Sequence, residues 1–303
     1  MYDRIMVPLD GSELAEVPLW YAARLTGRLK STLTLVYVSS PDERKSQHML
    51  KCYLDDTAAR MRKEAKEASK DGSEITVDCQ VLTGDPAEEI IDYADKAKTD
   101  LIILSSQGKS GIRRWALGNV ANKVIQATRK QVLLVRATGT EPEVYRDRLE
   151  KVLVPVDGSR ESESILRYIG YLTDALGLEM VLLHVWARQY ESYPTVDVVK
   201  KAEKMRKQEK DYVERLAKRL QGKGLRASSL FSEVWLGEEA EEIIRVAEDG
   251  KFSMVAMSTH GRSGVGRWIY GSNAHKVLNE GSTPLLLARP SLRKKKPAQN
   301  NGG

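Results

Sequence analysis

The chain is poor in the residues that most often announce a specialised chemistry. Cys52 and Cys79 are its only cysteines; they stand in no metal or redox spacing, which argues against a disulfide framework and predicts a reducing, cytoplasmic setting. The four histidines, His48, His184, His260 and His275, show no zinc-ligand spacing. Aromatic residues make up 6% of the chain, and its basic stretches lack the interleaved rings on which a nucleic-acid groove stacks bases. No uninterrupted apolar run approaches the roughly 20 residues of a membrane span, and residues 1–7 enter a strand pattern without the apolar core of a signal peptide. Neither a membrane nor a nucleic-acid partner is therefore expected. The net charge of +6 does not change this, because Arg293, Lys294, Lys295 and Lys296 supply four of the surplus charges at the C-terminal end. Elsewhere, as in 60–70 and 200–219, acids and bases alternate in the manner of solvated helix faces.

What is present is a repeat. Ile5-Met6-Val7-Pro8-Leu9-Asp10-Gly11-Ser12 returns as Val152-Leu153-Val154-Pro155-Val156-Asp157-Gly158-Ser159. At the same spacing Leu33-Thr34-Leu35-Val36-Tyr37-Val38 returns as Met180-Val181-Leu182-Leu183-His184-Val185. Slightly further apart, Gly84-Asp85-Pro86-Ala87 corresponds to Gly237-Glu238-Glu239-Ala240, and Gly108 to Gly261. Landmarks in the same order, with little drift, mean two copies of one fold; solenoid units run about 20 to 50 residues and are much shorter. A length of 303 residues suits two domains, each with its own core.

Within the first copy, apolar strands are expected at 4–8, 32–38, 75–82, 101–105 and 131–136, and amphipathic helices at 12–29, 47–70, 86–98 and 119–129, with Pro18 kinking the first helix. Strands alternating with helices predict an α/β fold: two tandem doubly wound domains, each a five-stranded parallel sheet with helices on both faces. The boundaries fall at 1–138 and 150–290, with a linker at 139–149 and a basic, disordered tail at 291–303. The last strands, 132–135 and 285–288, are strongly apolar edges that must be covered. Pairing the two domains as a pseudo-dimer within one chain does so most simply, and two chains associating as a homodimer is the alternative.

Ligands of doubly wound sheets bind outside the C-terminal ends of the strands. Three features meet there. Asp10 and Asp157 leave the first strand of each copy, either to accept hydrogen bonds from a ribose or adenine, or to cap the helix that follows. A glycine-dense loop links the fourth strand to the next helix, Ser258-x2-Gly261-x9-Gly271-Ser272-Asn273 in the second copy and Ser105-x2-Gly108-x9-Gly118-Asn119-Val120 in the first. Backbone N–H groups at such a helix start form a phosphate cradle. Gln107-Gly108-Lys109-Ser110 imitates a P-loop, but Ile103 occupies the position of its first glycine. His260 is replaced by Gln107 in the other copy, which argues against an acid–base role. Tyr190, Tyr193 and Pro194 form a candidate flap, or a loop covering the core edge.

These motifs together resemble the universal stress protein family, here as a tandem pair covering 1–138 and 150–290. The resemblance implies an adenine nucleotide alpha hydrolase-like fold and ATP bound without Walker motifs, with any Mg2+ held mainly by the phosphates. Carried over, it places Pro155 and Asp157 near adenine and ribose and the Val185 backbone at the adenine edge. It sets the phosphates against Gly261, Gly271 and the Ser272 hydroxyl, with Ser258 and Asn273 in the same nucleotide site. Pro8, Asp10, Val38, Ser105, Gly108, Gly118, Asn119 and Val120 correspond in the first copy. A serine replaces the first glycine of the pattern in both copies, and Asn119 stands where the second copy has Ser272, so the second site keeps closer to the family pattern. A regulatory, stress-response ATP-binding protein with an unidentified protein partner is the implied function. A nucleotide-free dimerising scaffold and a slow ATPase are the alternatives, since no complete catalytic constellation is visible.

Overall fold

A computed structural model describes residues 1–40, 47–108, 117–137, 149–188, 195–259 and 271–290. The expected linker, apart from Leu149, the tail, the flap residues and Gly261 lie outside the described residues. The first half contains β1 (Arg4–Leu9), α1 (Glu13–Glu16), α2 (Leu19–Leu29), β2 (Thr32–Ser39), α3 (Gln47–Ala68), β3 (Val77–Thr83), α4 (Pro86–Lys96), β4 (Leu101–Ser105), α5 (Asn119–Ala127) and β5 (Gln131–Val135). The second half repeats the order as β6 (Lys151–Pro155), α6 (Arg160–Glu163), α7 (Leu166–Leu176), β7 (Glu179–Arg188), α8 (Val196–Gln221), β8 (Ala227–Trp235), α9 (Glu239–Asp249), β9 (Met254–Ser258), α10 (Ser272–Glu280) and β10 (Leu285–Ala288).

The two sets of strands form one ten-stranded sheet, in the order β3-β2-β1-β4-β5-β10-β9-β6-β7-β8. Within each half every pairing is parallel, whereas β5 and β10 run antiparallel with Leu134 opposite Leu285, Leu133 opposite Leu286 and Val132 opposite Leu287. The apolar last strands are therefore interior, and each covers the other. Strand side chains alternate between faces: Ile5, Val7 and Leu9 enter one core with α2, α3, α7 and α8, while Met6 enters another with α4, α5, α9 and α10. Both cores draw on both halves. The Tyr21 hydroxyl also donates across the halves to the Ser253 carbonyl at 3.4 Å, and the Tyr2 and Tyr171 rings meet at 5.9 Å.

The expected single helix at 12–29 is two helices. Ser12 caps α1 by accepting from the Ala15 amide, and α2 restarts after Pro18. The same break recurs between α6 and α7, where Ile165 holds the place of Pro18. Proline therefore suits the break without causing it; the turn that begins at Asp10 and Asp157 has to be redirected onto the sheet in both halves. Long α3 and α8 are anchored alike. Tyr53 and Arg60 of α3 donate to Glu16 at 2.9 and 2.6 Å, and Tyr212 and Arg219 of α8 donate to Glu163 at 3.0 and 2.7 Å. Burial, reinforced by these carboxylates, raises both phenols well above their ordinary range.

Helix α2 crosses α3 at Gly27, where an added Cβ would lie 2.1 Å from the Ala65 carbonyl oxygen. Backbone cannot yield as a side-chain end can. Gly27→Ala is expected to lower the unfolding free energy by about 3 kcal/mol through overpacking, read from the denaturant midpoint at unchanged slope.

Candidate functional site

The crevice in each half begins where a proline stops strand pairing. The register of β6 with β9 ends at Leu153, two residues before Pro155, and that of β1 with β4 ends at Met6, two residues before Pro8. Proline has no N–H to donate, so the neighbouring strands part at the point where strand order reverses. In the second half the parting opens into a cavity of about 540 Å3 lined by Pro155, Asp157, Val185, Ser258, Gly271, Ser272 and Asn273. Every described site residue predicted for the second copy is thus brought together.

Asp157 is held by the turn it starts. Its Oδ1 accepts from the Ser159 amide at 2.9 Å and from the Ser159 hydroxyl at 2.6 Å, while Ser159 caps α6. Asp10 and Ser12 do the same at matching distances. The two readings of these aspartates are compatible, for one carboxylate oxygen fixes the turn in a residue that also faces the crevice. Val185 owes its position to strand alternation. The Val156 amide donates to the Leu183 carbonyl at 2.9 Å, so backbone groups two residues on point the same way, beyond the end of β6. His184 braces this corner from within the core: its Nδ1 lies 2.8 Å from the Val156 carbonyl and its Nε2 3.3 Å from Glu209 of α8. A carbonyl only accepts, so Nδ1 carries a proton.

The opposite wall is the start of α10. Gly271 is its N-cap and offers no side chain to the first-turn amides. Neither α5 nor α10 carries an acidic residue in its first turn, whereas α4 and α9 do. Amides at this end have no partner within the helix and lie at the positive end of its dipole. A neck fixes the helix start, with the Gly271 amide donating to the Thr259 carbonyl at 2.9 Å and the Thr259 amide to the Ala288 carbonyl at 3.0 Å.

The first half repeats the neck, with the Gly118 amide donating to the Ser106 carbonyl at 2.8 Å. Asp10 lies so close over Gly108 that a Cβ there would meet Asp10 Oδ2 at 2.2 Å. Pro8, Val38 and Ser105 are half-buried at the strand ends, while Asn119 and Val120 are exposed on the first turn of α5.

Sequence reasoning missed several cavity residues. Trp186, Lys201, Met205, Glu209 and Leu236 line the outer part, and α8 residues carry no motif that reports which helix face overhangs a crevice. In the sequence, His184 stood out only as one of four histidines without zinc-ligand spacing and as part of the repeated second strand. A larger open groove of about 800 Å3 between α2 and α3 includes none of the predicted residues; surface charges such as the Arg60 and Glu16 pair line it, so the smaller cavity is the candidate site.

A family profile described as the universal stress protein family matches residues 1–136 and again 148–289. The chain belongs to the universal stress protein family. A universal stress protein of Mycolicibacterium smegmatis is 23% identical over 304 residues, covering 94% of this chain and 97% of that protein. One of Methanocaldococcus jannaschii is 28% identical over 143 residues, 45% of this chain and 83% of its own length. Among solved structures, a universal stress protein from Archaeoglobus fulgidus superimposes with a TM-score of 0.66 at 18% identity, covering 96% of this chain and 99% of that one. The tandem arrangement of this universal stress protein is thus shared by full-length relatives. Among the described residues no helix is long and apolar enough to cross a membrane.

Replacing His184 by leucine removes the donor to Val156 and its link to Glu209. The unfolding free energy should fall by about 2 kcal/mol, the cost of leaving a buried carbonyl without its donor, measured by chemical denaturation.

Proposed function

We propose that the second-half crevice binds an adenine nucleotide, ATP in the first instance, and that the protein acts by what its nucleotide state does to packing or partner choice. The observation that carries this reading is that one cavity is bounded by the Asp157 carboxylate and the Val185 backbone edge at one side and by the uncapped, acid-free start of α10 at the other. The first pair offers acceptors and a backbone edge, which suit ribose hydroxyls and the hydrogen-bonding edge of adenine. The second offers oriented N–H groups, which suit phosphate. Ser272 adds a hydroxyl there. A Mg2+ ion bound with the nucleotide would be held by phosphate oxygens and water. Membership of the family supports the reading, and the second crevice, which has Ser272 where the first has Asn119, is taken as the stronger of the two.

Calorimetric titration should give saturable ATP binding with adenine preferred over guanine, and a ligand at 100 times its Kd should stabilise the fold by about 2.7 kcal/mol. Asp157→Ala should weaken binding about tenfold, or ~1.4 kcal/mol, and Gly271→Val should weaken it further by crowding the cradle. A wild-type protein showing neither heat nor a thermal shift with ATP would remove the reading.

A further inference from the structure

Helices α5 and α10 start at the two crevices and share a peculiarity at their other ends. Neither carries a basic residue in its last turn, although a cation there is favoured by the helix dipole. Each instead receives one from the opposite half. Arg136, directly after β5, donates through Nη2 to the Val277 carbonyl at 3.2 Å and the Leu278 carbonyl at 2.5 Å, both in the last turn of α10. Arg289, directly after β10, donates to the Gln126 carbonyl in the last turn of α5. The exchange is reciprocal, as the antiparallel pairing of β5 with β10 requires of corresponding residues in two equivalent halves.

Each arginine also sits beside the neck of its own crevice. Ser106 donates its amide to the Val135 carbonyl at 2.8 Å and accepts from the Ala137 amide at 3.0 Å through its hydroxyl, so it clasps the backbone on both sides of Arg136. The same Ser106 holds Gly118. In the second half Thr259 is bonded to Ala288, the residue before Arg289, and holds Gly271. A continuous path of hydrogen bonds therefore runs from the neck of one crevice, through an arginine, to the helix that forms the wall of the other. Arg136 is kept there against a physical cost, since its Nε is buried without a hydrogen-bond partner among the described residues. Burial lowers its pKa to about 10, which still leaves it charged at neutral pH.

We propose that Arg136 and Arg289 are crosswise positioning residues, each setting the placement of the crevice helix in the opposite half and thereby the ligand affinity of that crevice. The affinity clause rests on the nucleotide reading above; the positioning clause does not. A residue acting only within its own half would disturb its own crevice, and this is the difference to measure. Hydrogen exchange of the full-length, ligand-free protein is compared for Arg136→Gln, Arg136→Lys and Arg289→Gln. In Arg136→Gln the amides of α10 should exchange about tenfold faster with α5 nearly unchanged, and Arg289→Gln should show the reverse. Arg136→Lys, which keeps the cation with a less fitted set of donors, should fall between, and it carries the test should the glutamine variant fail to fold. ATP titration, read at the tighter site that this reading assigns to the second crevice, should show affinity reduced about fivefold by Arg136→Gln and largely restored by Arg136→Lys. Faster exchange confined to the half that carries the substitution, or no change on α10, overturns the proposal. Failure of the wild type to bind ATP removes the nucleotide reading alone, and the exchange pattern still decides the crosswise grip.

Discussion

Everything distinctive about this molecule follows from three residue pairs, Leu134 with Leu285, Leu133 with Leu286 and Val132 with Leu287. A parallel five-stranded sheet has a last strand that is apolar on both faces, because helices cover both, and such an edge left open is a template for association. Antiparallel pairing satisfies the backbone of both last strands at once. It also makes the cores continuous, since each of the two core clusters draws residues from both halves. Burying leucine and valine side chains of this kind contributes about 1.5–3 kcal/mol each relative to exposure, so the join is a structural core in its own right.

The same geometry turns a duplication into a mechanical arrangement. In a parallel sheet the ligand end of every strand is its C-terminal end. When two such sheets join through antiparallel last strands, the residue after each of those strands emerges next to the last turn of the other half's helix. Arg136 and Arg289 stand at those points. Their reach across the join owes nothing to the ligand site itself; it is the place where a long cation satisfies carbonyls that the helices leave exposed at their own ends.

Much of this was legible in the sequence, for identifiable reasons. The strands were, because residues such as Ile102, Ile103, Val255 and Ala256 are apolar on both faces, and the repeat was, because Pro8 and Pro155 mark the same parting of strands. The starts of α5 and α10 were legible from Gly118 and Gly271, which begin their helices without a side-chain cap. The broken helices were not: Pro18 suggested a kink, and Ile165 gave no warning that α6 and α7 would separate. Nor were the necks, because Ser106 and Thr259 act through main-chain bonds to residues 12 positions on, and a main-chain bond leaves no side-chain signature. Arg136 and Arg289 read as strand ends, since their partners are carbonyls in the opposite half. Residues of α8 such as Lys201 and Met205 lack a motif and acquire a role only once Tyr212 and Arg219 fix the helix against Glu163.

The two crevices, built on one plan, differ in what surrounds their shared parts. Asp10 and Asp157 make the same turn with the same hydrogen bonds, so the turn itself does not distinguish them. The differences lie around it. Tyr37 takes the place of His184, so the first half lacks the imidazole that ties the second strand to the carbonyl before the aspartate. In the second half α8 begins earlier and overhangs the cavity with Val198, Ala202 and Met205, whereas the described part of α3 begins at Gln47. Asp10 rests against Gly108, where an added Cβ would meet its Oδ2 at 2.2 Å. The join through β5 and β10 is what lets one half support the other.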